Sequence, residues 1–435
     1  MYSTMARGAT SDVAEQHELV LLHLSDIHFT VETESGEYSV DEAVRRRMLD
    51  DIRSQHDRIG DVDVILLVGD VAFKGKDDEY QRANAWLDEV AAAVGCNRRE
   101  NVLCVPGNHD VDRGAHTAPH GAFRTALRTI DPAKLSDALL RLLRDPMSSR
   151  QLLDPLEQYN NFALPYGCEV RPDQIVWAPR ELALGPRTVR IHGVTSAWIC
   201  DATDAHEEDA KRVVAGVFQL TETEPDDRIS IVMCHHPLRW LRDSIPLRPW
   251  LEVAHLRLFG HEHAAGIDED GDHRGLSIAS GAVTPPVGEP GWKPAYNFIR
   301  LRLDGQDPDV CGVEIFARCW QERAEFGPDP RQPYPYSTFV NLRPSREPAP
   351  VSESEEAPLA VPQPEPVASD NRAIMLAVMR AAPDSRHRAA RELGLLDGLE
   401  HLTGVELERE LLKHAVDSGQ LEELGRRVVD DEHDN

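Results

Sequence analysis

The sequence predicts an α/β layered domain joined through a linker to a small all-α domain. Apolar strand-like runs alternate with helix-like ones as far as residue 343, and a stretch rich in Pro, Glu, Ser and Ala follows at 344–370. Every Phe, Tyr and Trp lies before that stretch, Phe339 being the last. Alternating strand and helix patterns belong to layered α/β folds, and segments built from such different residues fold separately.

Composition bounds the rest. At 435 residues and 41% hydrophobic content, the chain can bury one large core or two. Its formal net charge of -28 repels a phosphate backbone over most of the surface, so nucleic acid is a disfavoured, still open, class of partner. No apolar run approaches the roughly 18 to 20 residues of a membrane-spanning helix, and the opening "MYSTMARGATSDVAEQHE" lacks the apolar part of a signal peptide. The expected setting is the cytoplasm, with no membrane partner. Cys96, Cys104, Cys168, Cys200, Cys234, Cys311 and Cys319 are scattered without a CxxC pair and read as reduced core thiols.

In chain order, residues 1–17 read as a disordered start and 18–343 as the α/β domain. "HELVLLHLSD" and "VDVILLVGD" are continuous apolar runs ending in acidic residues. "DEYQRANAWLDEVAAAVG" sets Trp86, Leu87, Val90 and Val94 at helical spacing, with Gly95 as the C-cap. "NVLCVPGNHD" returns to a strand pattern. Residues 112–180, with "RTALRTIDPAKLSDALLRLLRD", form a helical insertion that reads equally as a cap over the site or as packing helices. The strand runs "TVRIHGVTSAW", "RISIVMCHHP" and "LRLFGHEH" follow. Residues 344–370 are too poor in apolar side chains to offset ordering entropy, hence a linker. In 371–435, Ile374, Val378 and Met379, then Val405, Leu407, Leu411, Leu412, Val416, Leu421 and Leu424, punctuated by Gly394, Gly404 and Gly419, describe a small helical bundle.

Five of these runs end in polar residues of one chemical kind. Asp26 and His28 follow the first, Asp70 the second, Asn108 and His109 the third, His235 the next, and His261 and His263 the last. Ligands collect outside the carboxyl ends of strands in α/β sheets, so residues far apart in sequence meet there. Carboxylate, amide and imidazole together indicate metal. Residues two apart in an extended chain share a face, so Asp26 and His28 are expected to grip one ion, while His261 and His263 in a tight turn can each reach a different one. Asp70, with two oxygens, is the candidate bridge. Mixed oxygen and nitrogen donors suit Mn, Fe, Zn or Ni without selecting among them. Gly69, Gly107 and Gly260 precede these turns, where a missing Cβ allows close approach to an ion or phosphate.

The ordered series DxH, GD, GNHD, a later His and GHxH resembles the calcineurin-like binuclear metallophosphoesterases from about Glu18 to Arg343. The resemblance implies a layered β-sandwich flanked by helices. It implies Asp26, His28, Asp70 and His263 around one metal ion, and Asp70, Asn108, His235 and His261 around a second; the family's use of the first His in HHP favours His235 over His236. It further implies a bridging water activated between two ions for in-line attack on phosphorus, with His109 as the general acid at the leaving oxygen. The GDxxDRG of the phosphoprotein phosphatases is missing, which turns the reading away from that branch. The expected function is hydrolysis of a nucleotide-type phosphodiester. The alternative is an effector nuclease or phosphatase of a bacterial conflict or signalling system, because "LERELLKHAVDSGQLEELGRRV" resembles the closing helices of death-like effector-associated adaptor domains. On that reading 371–435 recruits a protein partner; a solvated or oligomerising appendage is the plainer reading.

Other polar residues have plainer readings. His23 and His192 read as hydrogen-bonded core residues, and His236, Lys74, Lys76, Asp110 and Arg113 as supports for the ligands ahead of direct phosphate contacts.

Overall fold

The computed structural model describes residues 17–31, 40–96, 101–202, 204, 211–220, 228–285, 293–342 and 383–396, with scattered positions from 411 to 428. The chain divides into two compact units, Met1–Pro348 and Ala349–Asn435.

In the first unit, β1 (Glu18–Leu24), β2 (Val64–Val68) and β3 (Val102–Val105) are parallel neighbours. Their continuous apolar runs suit strands covered on both faces. The helix α1 (Val40–Ile59) links β1 to β2 and buries Val44, Met48, Leu49 and Ile52; α2 (Asp77–Ala93) links β2 to β3. Gly95, at φ +70°, turns the chain out of α2 in the left-handed conformation that favours glycine. On the other side of β1 stand the antiparallel β10 (Ala295–Leu303), β11 (Val310–Trp320), β12 (Phe326–Pro328) and β13 (Tyr336–Asn341). The sheet runs β12-β11-β10-β1-β2-β3, with β13 also paired to β11.

A second sheet holds β4 (Arg180–Leu184), β5 (Arg187–Val194), β6 (Ile229–Cys234), β7 (Leu256–Phe259), β8 (Ala265–Glu269) and β9 (Leu276–Ser280). Its order is β4-β5-β6-β7-β9-β8, with β5, β6, β7 and β9 parallel. Both sheets feed one apolar core, so the fold is a two-sheet α/β sandwich.

The insertion supplies α3 (Ala118–Thr129), α4 (Pro132–Arg144), α5 (Pro146–Leu153) and α6 (Glu157–Ala163). Thr117, Asp131 and Asp145 cap the first three, each followed by Pro in the first turn. Leu135, Leu139 and Leu143, four apart on α4, are buried in the main core, and Tyr159 Oη donates to the Cys104 carbonyl at 3.0 Å. The insertion is packed into the domain rather than standing off it. It ends where Arg180 opens β4. All seven cysteines are buried and free of disulfides.

In the second unit, α7 (Pro383–Glu392) is followed by Gly394 at φ +69°. Ala389, Ala390, Leu395, Leu411, Ala415, Leu421, Leu424 and Val428 make a separate apolar cluster. Residues 1–16, the linker 344–370, and Ile374, Val378, Met379, Gly404, Val405, Leu407, Leu412, Val416 and Gly419 lie outside the described residues. Among the described residues no helix is long and apolar enough to cross a membrane.

Candidate metal centre

The loops that follow β1, β2, β3, β6 and β7 meet at one place. Asp26 N donates to Gly69 O at 3.1 Å, and Ile27 N and His28 N both donate to Asp70 O at 2.8 and 3.0 Å, laying the loop after β1 along the loop after β2. Gly260 N donates to His235 O at 3.0 Å, which ties the loop after β7 to that after β6. His235 Nδ1 donates to Val68 O at 2.8 Å and His261 N to Asp26 Oδ2 at 3.1 Å, which joins the two sheets through the site itself.

Asp26, His28, Asp70, His261 and His263 have φ of 53°, 51°, 54°, 70° and 53°. The expectation that Asp26 and His28 share a face of an extended chain is corrected: β1 ends at Leu24, and both residues lie in the left-handed region. Such conformations cost about 1–3 kcal/mol each and collect at functional sites.

The side chains surround a shared space. His28 Nε2 and His235 Nε2 each lie 3.3 Å from Asp70 Oδ2, His235 Nε2 lies 3.3 Å from Asn108 Oδ1, and His263 Nε2 lies 3.4 Å from Asp26 Oδ1. Charged hydrogen bonds normally close to roughly 2.7–2.9 Å, as Arg128–Asp204 and Arg257–Asp270 do here at 2.7 Å. At 3.3–3.4 Å these contacts are longer than that, which leaves the ligand atoms facing a common space. His261 Nδ1 lies 3.0 Å from Asn108 Oδ1, so His261 and His263 reach different parts of the cluster. Potential ligand atoms within 4.8 Å of one another form the groups Asp26–His28–His263, Asp26–Asp70–His235, His28–Asp70–His109 and His235–His236–His261.

Burial makes these groups expensive without a cation. Asp26 is fully buried and Asp70 and Asn108 are 1% exposed, and Asp26 Oδ1 has no hydrogen bond among the described residues. Burial pushes the Asp26 carboxyl up, but the nearby imidazoles of His263 and His235 bring it down to about 2. The same contest holds Asp70 well below the usual carboxylate range. Burial alone would lower His235, which the Asp70 carboxylate instead raises to about 9; burial takes His261 down to about 3. Ionised carboxylates, an amide oxygen and imidazoles, buried together, are a donor set for hard to intermediate cations.

Further contacts orient the candidate ligands. Ser25 Oγ donates to Asp26 Oδ2 and Thr284 Oγ1 to Ile27 O, while His28 Nδ1 contacts Thr284 O at 3.3 Å. His235 Nδ1 donates to Val68 O at 2.8 Å, leaving Nε2 for the site. Asp110 accepts from Gly107 N, Ala72 N and Tyr80 Oη at 2.9 Å each. Of the two adjacent histidines, His235 faces Asp70 and Asn108, whereas His236 Nδ1 bonds Ser196 Oγ at 2.7 Å. His109 Nδ1 donates to Phe73 O at 2.8 Å, and its backbone N–H donates to Asp70 Oδ1 at 2.7 Å. Trp240 Nε1 holds Glu262 Oε1 at 2.7 Å between the last two histidines. Ser25, Thr284 and Trp240 carry no sequence signal, because each acts through a contact that only the fold creates.

The glycines admit other ligand side chains rather than an ion or phosphate. A Cβ on Gly107 would stand 2.1 Å from Asp70 Oδ1, and one on Gly69, at φ +83°, 2.4 Å from His235 Nδ1.

Residues 19–265 match the family model described as calcineurin-like phosphoesterase. The uncharacterized metallophosphoesterase-like protein YydB of Bacillus subtilis (strain 168) is 36% identical over 93 residues, 21% of this chain and 18% of that protein. Purple acid phosphatase PPD1 from yellow lupin (Lupinus luteus) seeds superposes at a TM-score of 0.39 with 10% identity, covering 80% of this chain and 58% of that one. A chain assigned as a 5′-nucleotidase of Staphylococcus aureus, solved with α-ketoglutarate, gives a TM-score of 0.37 with 11% identity, covering 76% of this chain and 55% of that one.

Proposed function

The chain belongs to the calcineurin-like phosphoesterase family, and from that premise we propose that it hydrolyses phosphoesters in a metal-dependent reaction, acting on a nucleotide-type diester. The observation that carries the reading is the set of buried carboxylate and imidazole atoms standing 3.3–3.4 Å apart around a shared space. Asp26, His28, Asp70 and His263 would hold one ion, and Asp70, Asn108, His235 and His261 the other. Such a pair supplies Lewis acidity, which activates water and offsets charge on the phosphoryl oxygens.

The chain's own residues do the rest. Asp70 Oδ2 lies 3.3 Å from both His28 Nε2 and His235 Nε2, which supports Asp70 as the residue shared between the two sets. The Nδ1 proton of His109 is committed to Phe73 O, so it is as an imidazolium that His109 would give its Nε2 proton to the leaving oxygen as general acid, keeping Nδ1–H on Phe73 O. Phe73 stacks on the His109 ring at 4.9 Å and fixes its plane.

A panel of cyclic nucleotides, a bis-aryl phosphate, single-stranded DNA and RNA, assayed with Mn and with chelator, tests the proposal. Mn-dependent cleavage of the small diesters is expected. Cleavage of polynucleotide alone would overturn the substrate class, and no cleavage of any ester would overturn the activity.

A further inference from the structure

The insertion opens with a second group of polar side chains, directly after the loop that carries Asn108 and His109. Arg113 begins a 3-10 turn, Arg113–Ala115, four residues after His109, so chain length alone keeps their Cα atoms within roughly 14 Å. Arg113 Nη2 is shielded from solvent and has no hydrogen-bond partner among the described residues. The same holds for His116 Nε2 and Arg124 Nη1. His116 stacks on His120 with centroids 4.4 Å apart, and Arg124 Nε pairs with Asp201 Oδ2 at 3.1 Å.

A second route ties this cluster to the centre. Ser196 bonds His236 at 2.7 Å, and five residues later Asp201 accepts from Arg124 and Arg128 at 3.1 Å each.

Shielded donors without acceptors disfavour folding unless a ligand accepts from them. Three within one segment that begins four residues after His109, two of them guanidinium groups suited to planar oxyanions, fit an anion that arrives with the substrate. We propose that Arg113, His116 and Arg124 form a subsite for a second phosphate group on the substrate, so that the preferred diester is a phosphorylated nucleotide. The proposal rests on the phosphodiesterase reading above.

A matched pair of chromogenic esters tests it: thymidine 5′-(p-nitrophenyl phosphate) with and without a 3′-phosphate, hydrolysed by the full chain with Mn. The 3′-phosphate is expected to raise kcat/KM by roughly tenfold or more, through KM. Arg113→Gln and Arg124→Gln should each bring that ratio toward one, with Arg113→Lys retaining part of it. Calorimetric titration of the metal-free chain with thymidine 3′,5′-bisphosphate and thymidine 5′-monophosphate gives an independent readout. Tighter binding of the bisphosphate, abolished by Arg113→Gln, supports the subsite. Equal kcat/KM for the two esters, or a ratio that Arg113→Gln leaves unchanged, overturns it while the phosphodiesterase reading stands. If neither ester is hydrolysed, that reading fails, and the titration alone decides the subsite.

Discussion

At the scale of single residues, position in the fold determines whether a histidine is chemistry or core. His109 has one ring nitrogen fixed on Phe73 O and the other at the cluster edge, with only its backbone bonded to Asp70. His109→Ala should therefore lower turnover by about 10²–10⁴ and leave metal content unchanged by elemental analysis; parallel loss of metal would make it a ligand instead. His23 contrasts with it. It is fully buried on β1 with neither ring nitrogen hydrogen-bonded among the described residues, which corrects its reading as a satisfied core histidine. Burial takes its pKa from 6.5 to about 3, against the pull of the Asp26 charge. The folded state thus keeps His23 neutral while the unfolded chain takes up a proton below about pH 6.5. Its contribution is intact above that pH and is lost as pH falls toward 3. Denaturant unfolding at pH 7, 5 and 4 should show a shallower acid loss for His23→Leu than for the native sequence, and identical profiles would contradict the argument.

At the scale of elements, strands were legible and the turns leaving them were not. "VDVILLVGD" and "RISIVMCHHP" announce β2 and β6 because parallel strands covered on both faces need unbroken apolar runs. The polar residues after them announce the site by chemistry alone. What periodicity cannot carry is the left-handed backbone at Asp26, His28 and Asp70, a conformation enforced by hydrogen bonds from another loop. The meander β10 to β13 escaped the reading because alternating runs such as "VCGVEIFARCW" carry no motif; they extend the first sheet on the far side of β1 from β2 and β3. Gly107 shows how tightly the turns interlock. Gly107→Ala should displace the Asp70 carboxylate, given the 2.1 Å approach. Metal content and turnover are expected to fall sharply while far-UV circular dichroism keeps the native β signal; full activity would show that the loop after β3 yields easily.

At the scale of the molecule, two sheets that each run parallel near their centres present their carboxyl ends to one another, and residues from 26 to 263 become neighbours. The chain carries a net charge of -28, yet at this point its carboxylates are few, buried and ringed by imidazoles. The order of the motifs along the chain was enough to name residues that the fold gathers here, because each comes directly after a strand; the pairing between sheets that closes the ring was not, since nothing in a strand's pattern says which other strand end it will meet. The central claim is that these ends build one receptor for two ions with Asp70 shared between them. Elemental analysis of the purified full chain and of Asp70→Ala tests it most directly: the account predicts two ions per chain in the first and loss of both in the second, and it is contradicted if the native chain binds fewer than two or Asp70→Ala retains both.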